Sequence, residues 1–484
     1  MLELAKELKK LNAEKLTENG DKAYSTTGSS LTDLFFMTAY FEKHLDEVRI
    51  GDSTKEKILS MYIRDPRFGM GRRDLGRELM GQASVPAEWV IKAGRYDDLY
   101  KINPITAEKA VEYLKLLKEK ATTDSLAKKW LPRLTGKDRK IALLLCKHWG
   151  MTQKEYRAFI KTDDTTEYKL SYAEQAESAT PLNELFNKGV YKHPLVNEID
   201  FEKVPSMAMQ KYLHCFSTRE DLKDRYAEYI AKVKENKAKI NTKTANVHDA
   251  MKVATADTWC AQSVEEEARD VVSKKIVEEA TLGVEIDAIP ILDTSGSMWS
   301  FCGWWGEDRY KDPNQIGMKA MSVALAIAEK STYAPHQIIS FSSKPQLMTI
   351  KGNTMREKYE SMYTGDCSNT DFGRVMKLLA NLNKFPKYFV VLTDMEFDRG
   401  SSDSKAKTMQ IIREAGAKTR IIWWNFNDRN RTAPEFDEYG NIYLSGYNMQ
   451  TLKLLEDDFD MTKYIDKILK KYVKDIDLKG AEGI

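Results

Sequence analysis

Near residue 283 the hydrophobic pattern changes period, and that switch limits the folds open to this chain more than any other feature of its 484 residues. Up to about Glu279 apolar residues recur at helical spacing, as in "LTDLFFMTAYFEKHLDEV", "EKAVEYLKLLKEKA", "DRKIALLLCKHWG" and "TREDLKDRYAEYIAKVKENKAKI". Turns at Asp65-Pro66, Gly94 and Lys203-Val204-Pro205 separate these runs. Helices in succession without strands stack as a bundle or a solenoid of the HEAT type. After Gly283, short β-rich runs ("VEIDAIPIL", "HQIISFS", "YFVVLTD", "TRIIWWNF") alternate with helical ones ("QIGMKAMSVALAIAEKS", "DFGRVMKLLANLN"). The expectation is an all-α, HEAT-like helical-repeat module over residues 1–280. An α/β doubly wound, Rossmann-like domain with a mostly parallel sheet should follow over 281–484.

Ligands of such sheets sit outside the carboxyl ends of the strands. Two apolar strands here end on aspartates: "AIPILD" on Asp293 and "YFVVLTD" on Asp394. The hydroxyls Ser295 and Ser297 follow the first, and Thr370, in "GDCSNTDFGRV", lies between the two. An all-oxygen set suits a hard divalent ion, Mg²⁺ first, with Mn²⁺ or Ca²⁺ as alternatives. Only two of the five side chains are charged, so a bound ion would stay incompletely neutralised and attract a carboxylate or phosphate from a partner. The competing reading is that Ser295 and Ser297 cap the next helix, that Thr370 or Asp371 caps the helix near Phe372, and that Asp394 caps its own loop.

"ILDTSGSM", "SNTDFGRVM" and "VVLTDMEFD" resemble the metal-ion-dependent adhesion site of a von Willebrand factor A domain, whose five positions match Asp293, Ser295, Ser297, Thr370 and Asp394. "LTENGDKAYSTTGSSLTDLFF", "IRDPRFGMGRRDL", "GRYDDL", "AKKWLP", "IDFEKVPSMAM" and "IIWWNFNDR" extend the likeness to a plant and viral family that joins such a domain to an N-terminal helical module. That architecture is similar to the TROVE-containing Ro ribonucleoproteins. The resemblance implies a TROVE-like module binding structured or misfolded RNA, and a protein ligand that offers an acidic residue to the metal. The segment from Trp299 to Asn314 is longer and more aromatic than the resemblance leads one to expect. Trp299, Phe301, Trp304 and Trp305 would form either a partner-binding surface or a flap packed on the protein itself.

The Lys and Arg total of 75 against 73 Asp and Glu gives a formal charge of +2, so any pull on RNA must come from local patches. Candidates are Arg64, Arg67, Arg72, Arg73 and Arg77 in "RDPRFGMGRRDLGR", and Lys128, Lys129 and Arg133 in "AKKWLPRLTGKDRK". The five cysteines, Cys146, Cys215, Cys260, Cys302 and Cys367, are scattered without a CxxC pair, which points to a reducing, cytoplasmic setting, the host cytoplasm if the protein is viral. Neither a signal peptide nor a membrane partner is expected. No phosphate-loop, nucleophile-elbow or HExxH motif is present, so a non-enzyme is expected. The leading expectation is a Ro-like RNA-binding scaffold, and the alternative is a protein-interaction or assembly component without RNA.

Overall fold

The computed structural model describes residues 14–16, 22–25, 64, 73–82, 85–102, 105–124, 127, 128, 130–160, 199–204, 206–242, 245–256, 263–281, 283–299, 315–363, 368–399, 401–427, 432–434 and 441–445. The chain is multidomain, with a helical N-terminal part and a mixed α/β sheet toward the C-terminus. Spatially it divides into one unit of residues 40–244 and 460–484 and another of residues 1–39 and 245–459.

The described part of the first unit is helical: α1 (Arg73–Gln82), α2 (Ala87–Ala93), α3 (Ala107–Thr123), α4 (Arg139–Trp149), α5 (Gln153–Phe159), α6 (Ser206–Thr218) and α7 (Lys223–Lys234). Hydroxyl caps begin α3 and α5, where Thr106 and Thr152 accept the amides of Lys109 and Glu155. A left-handed Gly150 ends α4. The periodic residues legible in the sequence, Tyr113, Leu117, Leu145 and Trp149, form the core of α1–α5 together with Tyr156. Lys118 Nζ and Trp149 Nε1, bonding to the carbonyls of Trp149 and Leu114, tie α3 to α4. Around α6 and α7 the packing is aromatic, with Phe201 at 5.4 Å from Phe216 and 5.1 Å from Tyr226.

In the second unit, β1 (Glu14–Leu16), β2 (Lys22–Ser25) and a later β8 (Thr432–Pro434) make a small antiparallel sheet. The main sheet comprises β3 (Ala288–Asp293), β4 (Gln337–Phe341), β5 (Gln346–Thr349), β6 (Tyr388–Thr393), β7 (Arg420–Asn425) and β9 (Ile442–Ser445) in the order β5-β4-β3-β6-β7-β9. All its pairings are parallel except that of β4 with β5. β3 and β6 are buried at every residue, as expected of strands covered on both faces. Pro290 lacks a donor yet sits in a central strand. Pairing with β4 begins only at the next residue, Ile291.

The helices of this unit are α8 (Val247–Thr255), α9 (Ser263–Ala280), α10 (Ile316–Lys330), α11 (Met355–Ser361), α12 (Phe372–Ala380) and α13 (Ser401–Glu414). On one face Ile291, Phe389, Val391 and Trp423 meet Phe372, Val375 and Met376 of α12 and Met409 and Ile412 of α13. α10 lies against β3 and β6, and α8 packs on α9, α10 and α11. The spatial division therefore falls near residue 245, earlier than the change of hydrophobic period near 280, because α8 and α9 are helical in sequence but pack with the sheet unit.

His248, in α8, is buried, and its imidazole is pushed down to about 3 by burial first and by Lys252 and Lys319 second. A folded value below the unfolded one near 6.5 means that the unfolded chain takes up the proton first. Stability is then complete above pH 6.5 and is lost progressively toward pH 3. His248→Leu should flatten this acid limb, read as a smaller drop in denaturant midpoint between neutral and mildly acidic buffer than in the wild type.

Candidate metal centre and nucleic-acid residues

After β3 the chain passes to β4 on one side, then returns to β6 on the other side of β3. The carboxyl ends of β3 and β6 thus flank the point where strand order reverses, the usual crevice for ligands. Asp293 ends β3, and Asp394 follows the last residue of β6; both carboxylates are buried.

Hydrogen bonds stitch three loops around them. Asp293 Oδ1 accepts the Ser295 amide at 2.9 Å, and Oδ2 accepts the Thr393 hydroxyl at 2.5 Å. Ser295 Oγ and Ser297 Oγ are 3.2 Å apart. The Gly296 amide donates to the Ser368 carbonyl at 3.3 Å, and the Asp398 amide to the Thr370 carbonyl at 3.0 Å. The segments bearing Asp293, Ser295 and Ser297, Thr370, and Asp394 therefore meet at one end of the sheet.

The capping alternatives divide. Ser295 precedes a short 3₁₀ turn over Gly296–Met298 but makes no side-chain cap bond to it. Asp371, not Thr370, caps α12 through the Arg374 amide. Asp394 does serve its own loop, since Oδ1 accepts the Glu396 amide at 3.3 Å. That bond depends on Met395, a non-glycine residue held at φ 71°. Left-handed backbone at such a residue costs about 1–2 kcal/mol and clusters at functional sites. Beneath the loop before α12, Phe372 lies 4.9 Å from Trp423 and 5.4 Å from Phe341, which anchors the segment carrying Thr370.

Burial, and after it the charge of Asp394, pushes the Asp293 carboxyl up to about 7, although its bonds to Ser295 and Thr393 pull the other way. Two buried carboxylates whose charges act on each other are poorly tolerated as a pair of anions, and a divalent cation would relieve that repulsion. Among the described residues, no group of three or more His, Cys, Asp or Glu side chains could hold a metal ion. A cation at Asp293 would have to complete its shell with hydroxyl and water oxygens, a set that fits Mg²⁺ or Mn²⁺ better than Zn²⁺.

Thr393 escaped the sequence reading. Its signal was the register: Leu292 pairs with Leu392, so the next step up the sheet sets a hydroxyl beside Asp293. Trp299 is buried, and a Cβ added at Gly317 would come within 2.6 Å of its ring, so this aromatic packs onto α10. Phe301, Trp304 and Trp305, with the rest of the insertion to Asn314, lie outside the described residues.

The arginine-rich turn contains both structural and surface residues. Arg64 is buried and gives Nε and Nη2 to Asp98 at 3.1 and 2.6 Å. Arg77 reaches the other oxygen of Asp98 at 2.7 Å. The buried Arg64 guanidinium is an internal counter-ion and is not placed to contact RNA, a correction to the sequence expectation, whereas the half-buried Arg77 also reaches the exposed Asp74 at 3.1 Å. Arg73 and Arg133 are exposed, and Lys128 is half-buried with its ammonium 5.7 Å from the Phe159 ring. Arg67, Arg72 and Lys129 lie outside the described residues. Trp130 carries the Arg95 guanidinium at 4.1 Å from its ring centroid.

Two family models match the chain, both described as domains of unknown function: DUF2828 over residues 95–280 and DUF7788 over residues 287–479. Uncharacterized protein L728 of Acanthamoeba polyphaga mimivirus is 24% identical over 526 aligned positions, covering 94% of this chain and 87% of the viral protein. Among solved structures, the RO (RSR) protein of Deinococcus radiodurans is similar with a TM-score of 0.42 and 14% identity, over 87% of this chain and 90% of that one.

Proposed function

We propose that the protein is a non-catalytic, Ro-like RNA-binding scaffold whose sheet unit is a von Willebrand factor A-type domain holding one divalent cation. The observation that carries the metal half is the buried pair Asp293 and Asp394 at the strand-order reversal, with Asp293 driven toward its protonated form. Asp293, Ser295, Ser297, Thr370 and Asp394 would hold Mg²⁺, or Mn²⁺ or Ca²⁺ in its place. When bound, the ion supplies an incompletely neutralised coordination position for an acidic side chain of a protein ligand. The chain's own residues orient that position: Thr393 fixes one oxygen of Asp293, and the Ser295 amide fixes the other.

The RNA half is supported by the likeness to a plant and viral family whose architecture is similar to that of Ro ribonucleoproteins, and by exposed cations on the helical unit, Arg73 and Arg133 among them. Phosphate contacts by such groups supply sequence-independent affinity and strong salt dependence. No helix among the described residues is long and apolar enough to cross a membrane. The reading is tested by purifying the full chain at low salt and treating the copurified nucleic acid with ribonuclease or deoxyribonuclease. RNA sensitive to ribonuclease and released by high salt is expected. A preparation free of RNA that also fails to bind added structured RNA would leave the protein-assembly alternative in its place.

A further inference from the structure

Resting on the RNA reading, and deepening it, we propose that RNA lies along the outer face of α4 and the adjoining α5, gripped through its phosphates by Lys140 and Lys147. α4 has one side committed to the core, where Ala142, Leu145, Cys146 and Trp149 are buried. Its opposite side is cationic. Lys140, Leu144 and Lys147 follow one another at spacings of four and three residues, which sets them in line on one helical face. Both lysines are exposed, and Leu144, 64% exposed, lies between them. Arg133 and Lys137 extend the charge before the helix, and Lys154 and Arg157 extend it onto α5; all are exposed.

None of these cations has an acidic partner among the described residues. The stretch from 133 to 157 contains two acids, and both have structural duties. Asp138 lies 3.9 Å from Lys101, and Glu155 accepts the Thr152 amide at 2.7 Å to cap α5. α4 itself contains no Asp or Glu. Contrast α7, where Lys232 is paired with Glu228 at 2.7 Å, the ordinary state of a solvated helix face. A row of unpaired cations along a rigid helix is complementary to a polyanion and releases its counterions on binding.

Two polyanionic surfaces could answer this charge, an RNA backbone and an anionic membrane, and the packing favours RNA. A helix that lies in a membrane needs a free apolar face to bury. Here that face is already in the core, and Leu144 alone protrudes among the lysines. One leucine between two cations instead suits a ribose or base edge between two phosphates.

The test uses the full chain and a fluorescently labelled structured RNA with a single-stranded tail, titrated across a salt series. Lys140→Gln combined with Lys147→Gln keeps helix propensity and removes both charges. It should weaken binding about tenfold at moderate salt and reduce the slope of log affinity against log salt by about one to two. Lys232→Gln should leave both unchanged, and circular dichroism should show equal helicity in all three proteins. If the wild type binds RNA and the double variant binds equally well, the face is wrongly assigned although the RNA reading stands. If the wild type does not bind, both fail. Binding of phosphatidylserine vesicles through these lysines, with no effect on RNA, would overturn the proposal in favour of a membrane contact.

Discussion

Replacing Asp98 with alanine should destabilise the helical unit by about 3–5 kcal/mol, the usual consequence of stranding buried charge. Asp98 is fully buried within the short 3₁₀ turn Tyr96–Tyr100. One carboxylate there satisfies Arg64 through Nε and Nη2, Arg77 through Nε, and the Arg95 amide at 2.9 Å. Its neighbour Asp97 is the hub of a second set: burial alone would raise its carboxyl, but Lys101 and Arg95 outweigh that and hold it below the usual range. Removing Asp98 strands the buried Arg64 guanidinium, while Arg77 keeps Asp74 at 3.1 Å and Asp97 at 3.7 Å. Urea denaturation followed by tryptophan fluorescence measures the effect, since Trp89, Trp130 and Trp149 lie in this unit. Gly94→Ala should act in the same direction, because its new Cβ would stand 2.2 Å from Asp98 Oδ2. A shift of the Asp98→Ala midpoint equivalent to less than about 1 kcal/mol would contradict the network's role.

This network shows why the internal role of Arg64 was not legible in the sequence. Spacing reveals that arginines are close, but it says nothing about which acids will face them. Asp97 and Asp98 are some twenty residues away from Arg77 and were legible only as part of "GRYDDL". The helical periods, by contrast, identified core residues such as Leu117 and Leu145 directly, since period and burial have the same cause. The strand ending on Asp293 and the one stopping a residue before Asp394 were equally plain, because a buried run interrupted by a carboxylate is rare unless the strand stops there. Period could not assign α8 and α9 to a unit: a helix covering a sheet and a helix in a stack have the same apolar stripe. Thr393 was hidden for a related reason, as it required the pairing register and not the sequence alone.

The second large effect concerns the carboxylate pair. With its carboxyl pushed up to about 7 by burial and by Asp394, Asp293 in the metal-free chain holds a proton that the unfolded chain gives up near 3.8. The contribution of this carboxyl to stability is then greatest below about 4 and is lost as pH rises through 7. In chelator, the melting temperature of the wild type should drop between mildly acidic and mildly alkaline buffer. Asp293→Asn cannot take part in that titration and should lose less stability than the wild type toward alkaline pH, keeping only the acid limb set by groups such as His248. Excess Mg²⁺ should restore the alkaline wild type and have no effect on the variant, since ligand binding to the folded state alone raises stability. A gain in metal-free stability joined to a loss of metal response would mark Asp293 as kept for binding and not for the fold. Parallel pH profiles of the two chelated proteins would argue against a strained pair.

The most direct measurement is calorimetric titration of Mg²⁺, and then Mn²⁺, into the full chain and into Asp293→Ala, with circular dichroism to establish that both are folded. Saturable binding at a single site in the wild type and its absence in a folded Asp293→Ala is the predicted result. Equal binding by the two proteins, or no binding by the wild type, would contradict the metal centre.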